Sequence, residues 1–337
     1  MAAVLPPPNP PFPIRDTFRI RADLYPLGTE INGQLEHAHF VEDELYYAYI
    51  TQKLDLLETD ISKRRLIALD DPGGLAEALW RLYRLLARDQ PDVAELAPSG
   101  EEVALKLLGL RLRAPTPEHR ISPLIERYAP TALGERIAAW LEQQSGIARL
   151  ADALALSCQE DIVIMQAVAD ADRAELLHVC FPSRWDPRAK FNTGFVYIHD
   201  PIPKNEALIQ AGRNVMRALL TKGPFIRFGW SLTLDPRLDH HPESALPPVP
   251  DDIFADPARL AAHTFLRMER QTTYPMPDLG RTLFSIRTYI QPLSEAVQAP
   301  GRRARLAHIL STLEPEVAAY KGLAQMQAPL LAWLGHG

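Results

Sequence analysis

The chain has 337 residues, 47% of them hydrophobic, enough to bury a substantial core as one large domain or two. Its 42 acidic residues outnumber the 36 basic ones, and the net charge of −6 excludes a general nucleic-acid binder, because phosphate affinity needs concentrated cationic surface. Only two cysteines occur, too few for a four-cysteine iron–sulfur cluster; Cys158 and Cys180 each sit in an apolar, strand-like context that favours buried free thiols over a disulfide.

The leader, Met1 to Leu5 followed by the proline-rich run Pro6 to Pro11, lacks the charged and long apolar regions of a signal peptide. No apolar stretch is long enough to span a bilayer, so the expectation is a cytoplasmic protein without a membrane partner. Phe18 to Leu24 alternates like a short strand, and Val41 to Glu58 has helical spacing, with Tyr46, Tyr49, Leu54 and Leu57 on one face. Helices are expected at about 75–88, 101–108, 123–128 and 133–143, separated by breakers such as Pro72-Gly73-Gly74. From Asp161 the pattern turns to strands: 161–165, 175–180, 195–198, 225–234, 264–272 and 282–290. One amphipathic helix, 205–221, interrupts them. Asp235 to Asp252, rich in Pro, Asp and His, reads as an exposed loop, and helices return at 302–313 and 315–323. The expected fold class is α+β, a single domain over 1–337: a mainly helical part (1–150), an antiparallel core (151–295) and C-terminal helices (296–337).

The segment Phe181 to Pro203 carries the densest chemistry. An apolar run, Phe195-Val-Tyr-Ile198, delivers His199 just before Pro201 and Pro203, which forbid regular continuation. A neutral imidazole at the mouth of an apolar slot is a good iron ligand, and a heme needs apolar walls. The competing explanation is a hydrogen-bonded core histidine, with His178 and His263 as further histidines on strand-like segments. Lysine stands only at 53, 63, 106, 190, 204, 222 and 321, so Lys190 within this segment is notable.

In the strand from Phe265 to Thr272, period-2 alternation puts Arg267, Glu269 and Gln271 on one face and Met268, Arg270 and Thr272 on the other. Arg227 and Arg287 also lie inside apolar strands. Such arginines pair with a carboxylate or bind an anionic ligand, because an unpaired buried charge is prohibitively costly. His37 and His39 lack a third metal ligand nearby and read as surface histidines, and His240-His241 reads as solvated. No dinucleotide fingerprint, phosphate loop or Gly-x-Ser-x-Gly elbow is present, so a redox enzyme built on this chain draws electrons from elsewhere.

Three blocks carry a family resemblance: Phe181-Pro-Ser-x-Trp185 with Lys190 and Ile198-His199-x-Pro-x-Pro203; Arg267-x-Glu-Arg-Gln-Thr272; and Phe284-x-Ile-Arg-Thr-Tyr289. Together with weaker similarity at Phe18-Arg-Ile20, Gln159-Glu-Asp161, Arg227 and Trp230, the chain resembles the alpha subunit of heme-dependent oxidative N-demethylase. The resemblance implies a PAS-like antiparallel sheet holding heme b, with His199 as the axial iron ligand. It also implies oxidation of a secondary or tertiary amine by dioxygen. Electrons come from NADPH through a separate flavin/iron–sulfur reductase subunit, and formaldehyde passes to a folate-binding subunit. Arg227, Arg287 and Lys190 are then the candidate partners of the propionates, and Trp185 an apolar wall. Glu269 is the candidate amine anchor, and Arg270 or Tyr289 the group orienting iron-bound dioxygen. The class-different alternative is a heme-binding PAS-type sensor or scaffold. The chain departs from the family wording at Arg184, where glycine is usual, at Phe191-Asn192, where leucine and glycine are usual, and at Tyr274-Pro-Met-Pro277.

Overall fold

The computed structural model of the protein describes residues 11–14, 22–31, 33–168, 171–245, 247–250 and 252–335. Most of the strand expected over 18–24 lies outside these residues, and Ala22 to Leu24 have no regular structure. The chain is α+β, with its strands in antiparallel sheets.

The main sheet has seven strands. In spatial order they are Tyr25–Pro26, Phe225–Thr233, Phe265–Met276, Arg281–Pro292, Asp161–Val168, Ala171–His178 and Arg65–Ile67. Every neighbouring pair is antiparallel. The five long strands, numbered in chain order from Asp161, thus lie side by side as 2-1-5-4-3. Two 12-residue strands form the sheet's spine, and their register sets Glu269 opposite Thr288, Arg270 opposite Arg287 and Met268 opposite Tyr289.

One face of this sheet packs against the helical N-terminal half. The helix Pro72–Asp89 starts where Asp71 accepts a hydrogen bond from Gly74 N, with Pro72 at a position that needs no donor. It buries Leu75, Leu79, Leu82 and Leu86 at helical spacing, along with Trp80 and Tyr83. Part of this half departs from expectation: 101–108 and 123–128 are not helices. They contribute the strands Glu102–Leu105 and Leu124–Arg127 to a four-stranded sheet with Ala94–Leu96 and Leu110–Arg113. In Glu102-Val-Ala-Leu105 burial alternates residue by residue, a period that four residues cannot distinguish from one helical turn. Gly109 settles it. Its backbone is left-handed, and a Cβ there would sit 1.8 Å from Ala129 O, so the chain turns tightly and returns as a strand.

On the opposite face the helix Glu206–Thr221 lies across the strands, burying Leu208, Met216 and Leu219 against Val163, Met165 and Leu177. Each such side chain contributes about 1.5–3 kcal/mol. The C-terminal helices Arg302–Thr312, Pro315–Tyr320 and Gln327–Gly335 form a further apolar cluster with Leu232, Leu266, Met268 and Tyr289. Cys158 and Cys180 are buried free thiols, as expected. Among the described residues no helix is long and apolar enough to cross a membrane.

Only the second part of the expected loop is solvated: 242–250 is mostly exposed, whereas 235–241 is packed against the fold. Arg64 grips Asp239 through two hydrogen bonds of 2.7 and 2.8 Å, and Arg267 donates to Leu238 O. His240 and His241 are buried, and burial pushes the His240 imidazole down to about 4. His39, expected at the surface, is also buried, 3.5 Å from Asp89, whereas His37 is exposed.

Candidate cofactor and substrate cavity

Between the sheet, the helix Glu206–Thr221 and the C-terminal helices lies a cavity of about 720 Å³, within the roughly 300–1,000 Å³ usual for small-molecule and cofactor sites. Val163, Met165 and Leu177 line it from the sheet, and Leu208, Val215, Met216 and Leu219 from the helix. The sheet also sends Arg227, Arg267, Glu269 and Gln271 into it. Trp185, Lys190 and His199 complete the wall nearest the helix.

His199 is delivered by a short helix, Phe195–His199, where the sequence suggested a strand. Asp172 explains the difference: its carboxylate accepts from Phe195 N at 2.5 Å and caps the helix start. At the other end Lys190 Nζ donates to Ile198 O at 2.8 Å, and Asn205 Nδ2 donates to His199 O at 2.7 Å. Gly212 lets the long helix approach closely, since a Cβ there would come within 2.7 Å of Val196 Cγ2. His199 stacks on Phe195, with ring centroids 4.1 Å apart, and its Nδ1 lies 2.7 Å from Phe195 O. A carbonyl only accepts, so Nδ1 carries the proton and Nε2 keeps its lone pair. Burial, assisted by the nearby charges of Arg227 and Lys190, pushes the imidazole down to about 4, so the ring is neutral at physiological pH. A neutral imidazole oriented through Nδ1 is the form that binds a metal.

Among the described residues, five cations line the cavity, Arg184, Lys190, Arg227, Arg267 and Lys321, against three carboxylates, Asp23, Asp186 and Glu269. Asp186 is already held by Arg188 and lies 3.3 Å from His241. Arg227 Nε is buried without a hydrogen-bond partner, and burial pushes its guanidinium pKa down while Asp23 and Glu269 oppose the shift. Glu269 accepts from Gln271 Nε2 at 2.8 Å and lies 4.0 Å from Arg267 Nε. Directly across from it stands Gly229, which adds no side chain to crowd the carboxylate. Lys321 donates to Trp230 O, lies over the Trp230 ring at 4.6 Å, and is pushed down to about 8 by burial against the pull of Glu269.

The cavity therefore brings together His199, Trp185, Lys190, Arg227 and Glu269. It does not include Arg270, Arg287 or Tyr289, which the sequence reading placed with them. These three occupy the other face of the same strands. Arg270 donates to Glu36 at 2.8 Å and to the carbonyls of Ala38 and His39. Arg287 donates to Asp43 at 2.6 Å and lies over the rings of Tyr49 and Tyr289 at 3.9 and 4.8 Å. Strand parity already separates residue 269 from residue 270. Neither His178, paired with Asp152, nor the exposed His263 lines the cavity.

Sequence reasoning missed Arg184, Asp23, Asp172 and Lys321. The scarcity of lysine was the one available signal for Lys321; Asp23 and Asp172 had none. Arg184 and Asn192 both adopt left-handed backbone, φ 62° and 59°. These are the two positions where the resemblance expects glycine, so both replacements keep a glycine-like turn.

An apolar cavity of this size, a neutral imidazole and two surplus cations suit a metalloporphyrin carrying two carboxylates. The comparison with known families agrees. The family described as "Haem-dependent oxidative N-demethylase, alpha subunit-like" matches residues 34–331, nearly the whole chain, and the protein belongs to that family.

Proposed function

We propose that the protein is the heme-binding oxygenase subunit of an amine-oxidising assembly, in which His199 would hold the iron through Nε2. The observation that carries this reading is the His199 arrangement: a neutral ring, its Nδ1 fixed by Phe195 O, on the wall of a net-cationic apolar cavity. Bound ferrous heme supplies the iron at which dioxygen is reduced. The overall reaction is R₂N–CH₃ + O₂ + 2e⁻ + 2H⁺ → R₂NH + HCHO + H₂O. NADPH provides the electrons through a separate flavin/iron–sulfur reductase, with a folate-binding subunit as a further partner; the alpha-subunit description of the family supports an assembly with other subunits but names none.

The chain's own residues divide the remaining work. Arg227, with its bare Nε, and Lys190, with two ammonium hydrogens beyond the one given to Ile198 O, would hold the propionates. Glu269 receives the amine nitrogen. The apolar side chains of the long helix and Trp185 exclude water. The 2-1-5-4-3 strand order supports a PAS-like reading of the core.

Protein expressed with adequate heme supply is expected to carry about one heme per chain and a strong Soret band. His199→Ala is expected to lose that band while keeping the far-UV circular dichroism of the parent. A parent protein that neither retains nor takes up heme would refute the reading. A heme-loaded protein that binds carbon monoxide but responds to no amine belongs to the sensor class instead.

A further inference from the structure

Among the described residues that line the cavity, Arg184 is the cation least engaged by the scaffold, and it is not among those whose charge acts on His199. It lines the cavity and is solvent-exposed, which puts it at the mouth. Its backbone is left-handed, φ 62°, a conformation that any residue with a Cβ adopts at a cost. The NH1 end of its guanidinium sits against Gly322, where a Cβ would collide with it, and donates one hydrogen bond, 3.3 Å, to Lys321 O. It makes no ion pair among the described residues. The carboxylate whose charge reaches it, Asp235, is already gripped by Arg237 through hydrogen bonds of 2.8 and 2.6 Å. A planar fork of donors is thus fixed in place with most of its hydrogen-bonding capacity unused.

The turn that fixes Arg184 also borders Glu269. Tyr320 and Lys321 both feel the Glu269 charge, and Lys321 reaches across to Trp230, the neighbour of Gly229 opposite Glu269. Glu269 and Arg184, a carboxylate and a guanidinium, therefore line one cavity, and both act on the turn Tyr320–Gly322.

We propose that Arg184 is a specificity-determining residue that binds the carboxylate of the substrate, so that the substrate class is an N-methylated amine bearing a carboxylate at its other end. Glu269 takes the ammonium and Arg184 the carboxylate. This rests on the demethylation reading given above and adds the anionic end of the ligand to it.

The test titrates heme-loaded, full-length protein with two matched series. One is methylamino carboxylates with one, two or three methylenes between nitrogen and carboxylate; the other is uncharged N-methylalkylamines of equal length. The Soret shift reports binding, without turnover. At least one acid is expected to bind roughly tenfold or more tightly than its uncharged partner, the scale of a charge-assisted hydrogen bond. Arg184→Gly suits the left-handed backbone and is expected to erase that preference while leaving heme content and the affinity for uncharged amines unchanged. No preference in the parent, or a preference that survives Arg184→Gly, overturns the proposal. Loss of heme in Arg184→Gly also overturns it and moves Arg184 to the cofactor's own carboxylates. If no amine of either series binds, the demethylation reading itself fails and this inference with it.

Discussion

Adjacent residues of one strand, Glu269 and Arg270, give the sharpest test of where chemistry ends and scaffold begins. Arg270 is 3% exposed and Glu36, its partner, 11%; the guanidinium also satisfies two backbone carbonyls. Arg270→Met leaves the Glu36 carboxylate largely buried without its counter-charge, which costs about 3–5 kcal/mol. At about 2.1 cal/mol/K per residue, 337 residues unfold with an entropy of roughly 0.7 kcal/mol/K, so that loss lowers Tm by roughly 4–7 °C. Glu269→Gln keeps an oxygen for Gln271 and breaks no hydrogen bond to a cation, so its effect on Tm is expected to be smaller. It weakens amine binding instead, by roughly ten- to a hundredfold, the worth of one hydrogen bond to a charged group. Calorimetry of both variants and Soret titration with amines separate the two roles. If Arg270→Met leaves Tm unchanged and abolishes the amine response, the division of the strand into a scaffold face and a cavity face is wrong.

Asp172→Ala removes the charged cap from the five-residue helix that presents His199, a change worth about 1 kcal/mol, and is expected to speed heme transfer to an acceptor protein with little loss of secondary structure. An unchanged transfer rate would show that the cap does not position the histidine. The Asp186 carboxyl is held down to about 2, from 3.8, chiefly by Arg188. Its contribution to stability is therefore complete above about pH 4 and lost as pH falls through 2, and Asp186→Asn is expected to flatten the acid limb of a Tm-versus-pH curve below pH 4 while matching the parent's slope above it.

The sheet was legible because its strands are long. Twelve-residue runs rich in Thr, Ile, Phe and Tyr, Phe265–Met276 and Arg281–Pro292, read as strands over their length, whereas the four-residue strands near 102 and 124 are too short to be told from a helical turn. His199 was legible as a cavity residue from the apolar run before it, but the run's conformation was not. Phe195-Val-Tyr-Ile198 has strand composition, and what folds it into a helix is a carboxylate 23 residues earlier and a lysine 8 residues earlier, neither visible as a local pattern. The buried His240-His241 pair fails for the same reason. Proline and aspartate suggest a solvated loop, and the arginines that bury it, Arg64 and Arg267, come from distant strands and turns. For Arg287 and Tyr289 the motif was genuine, but membership of a motif does not say which face of a sheet a residue serves.

The cavity's charges sort by position. Lys190 and Arg227 are the cations whose charges act on His199, and in the proposed function they are the partners of the two heme carboxylates. Arg267 is occupied with the carbonyls of Leu238 and Phe181, pinning the 235–241 segment to the sheet. Lys321 is bound to Trp230 and balanced by Glu269. Arg184 remains after these roles are filled. Its guanidinium makes a single 3.3 Å hydrogen bond to a carbonyl, so most of its donors are free to meet the carboxylate of the proposed substrate at the mouth.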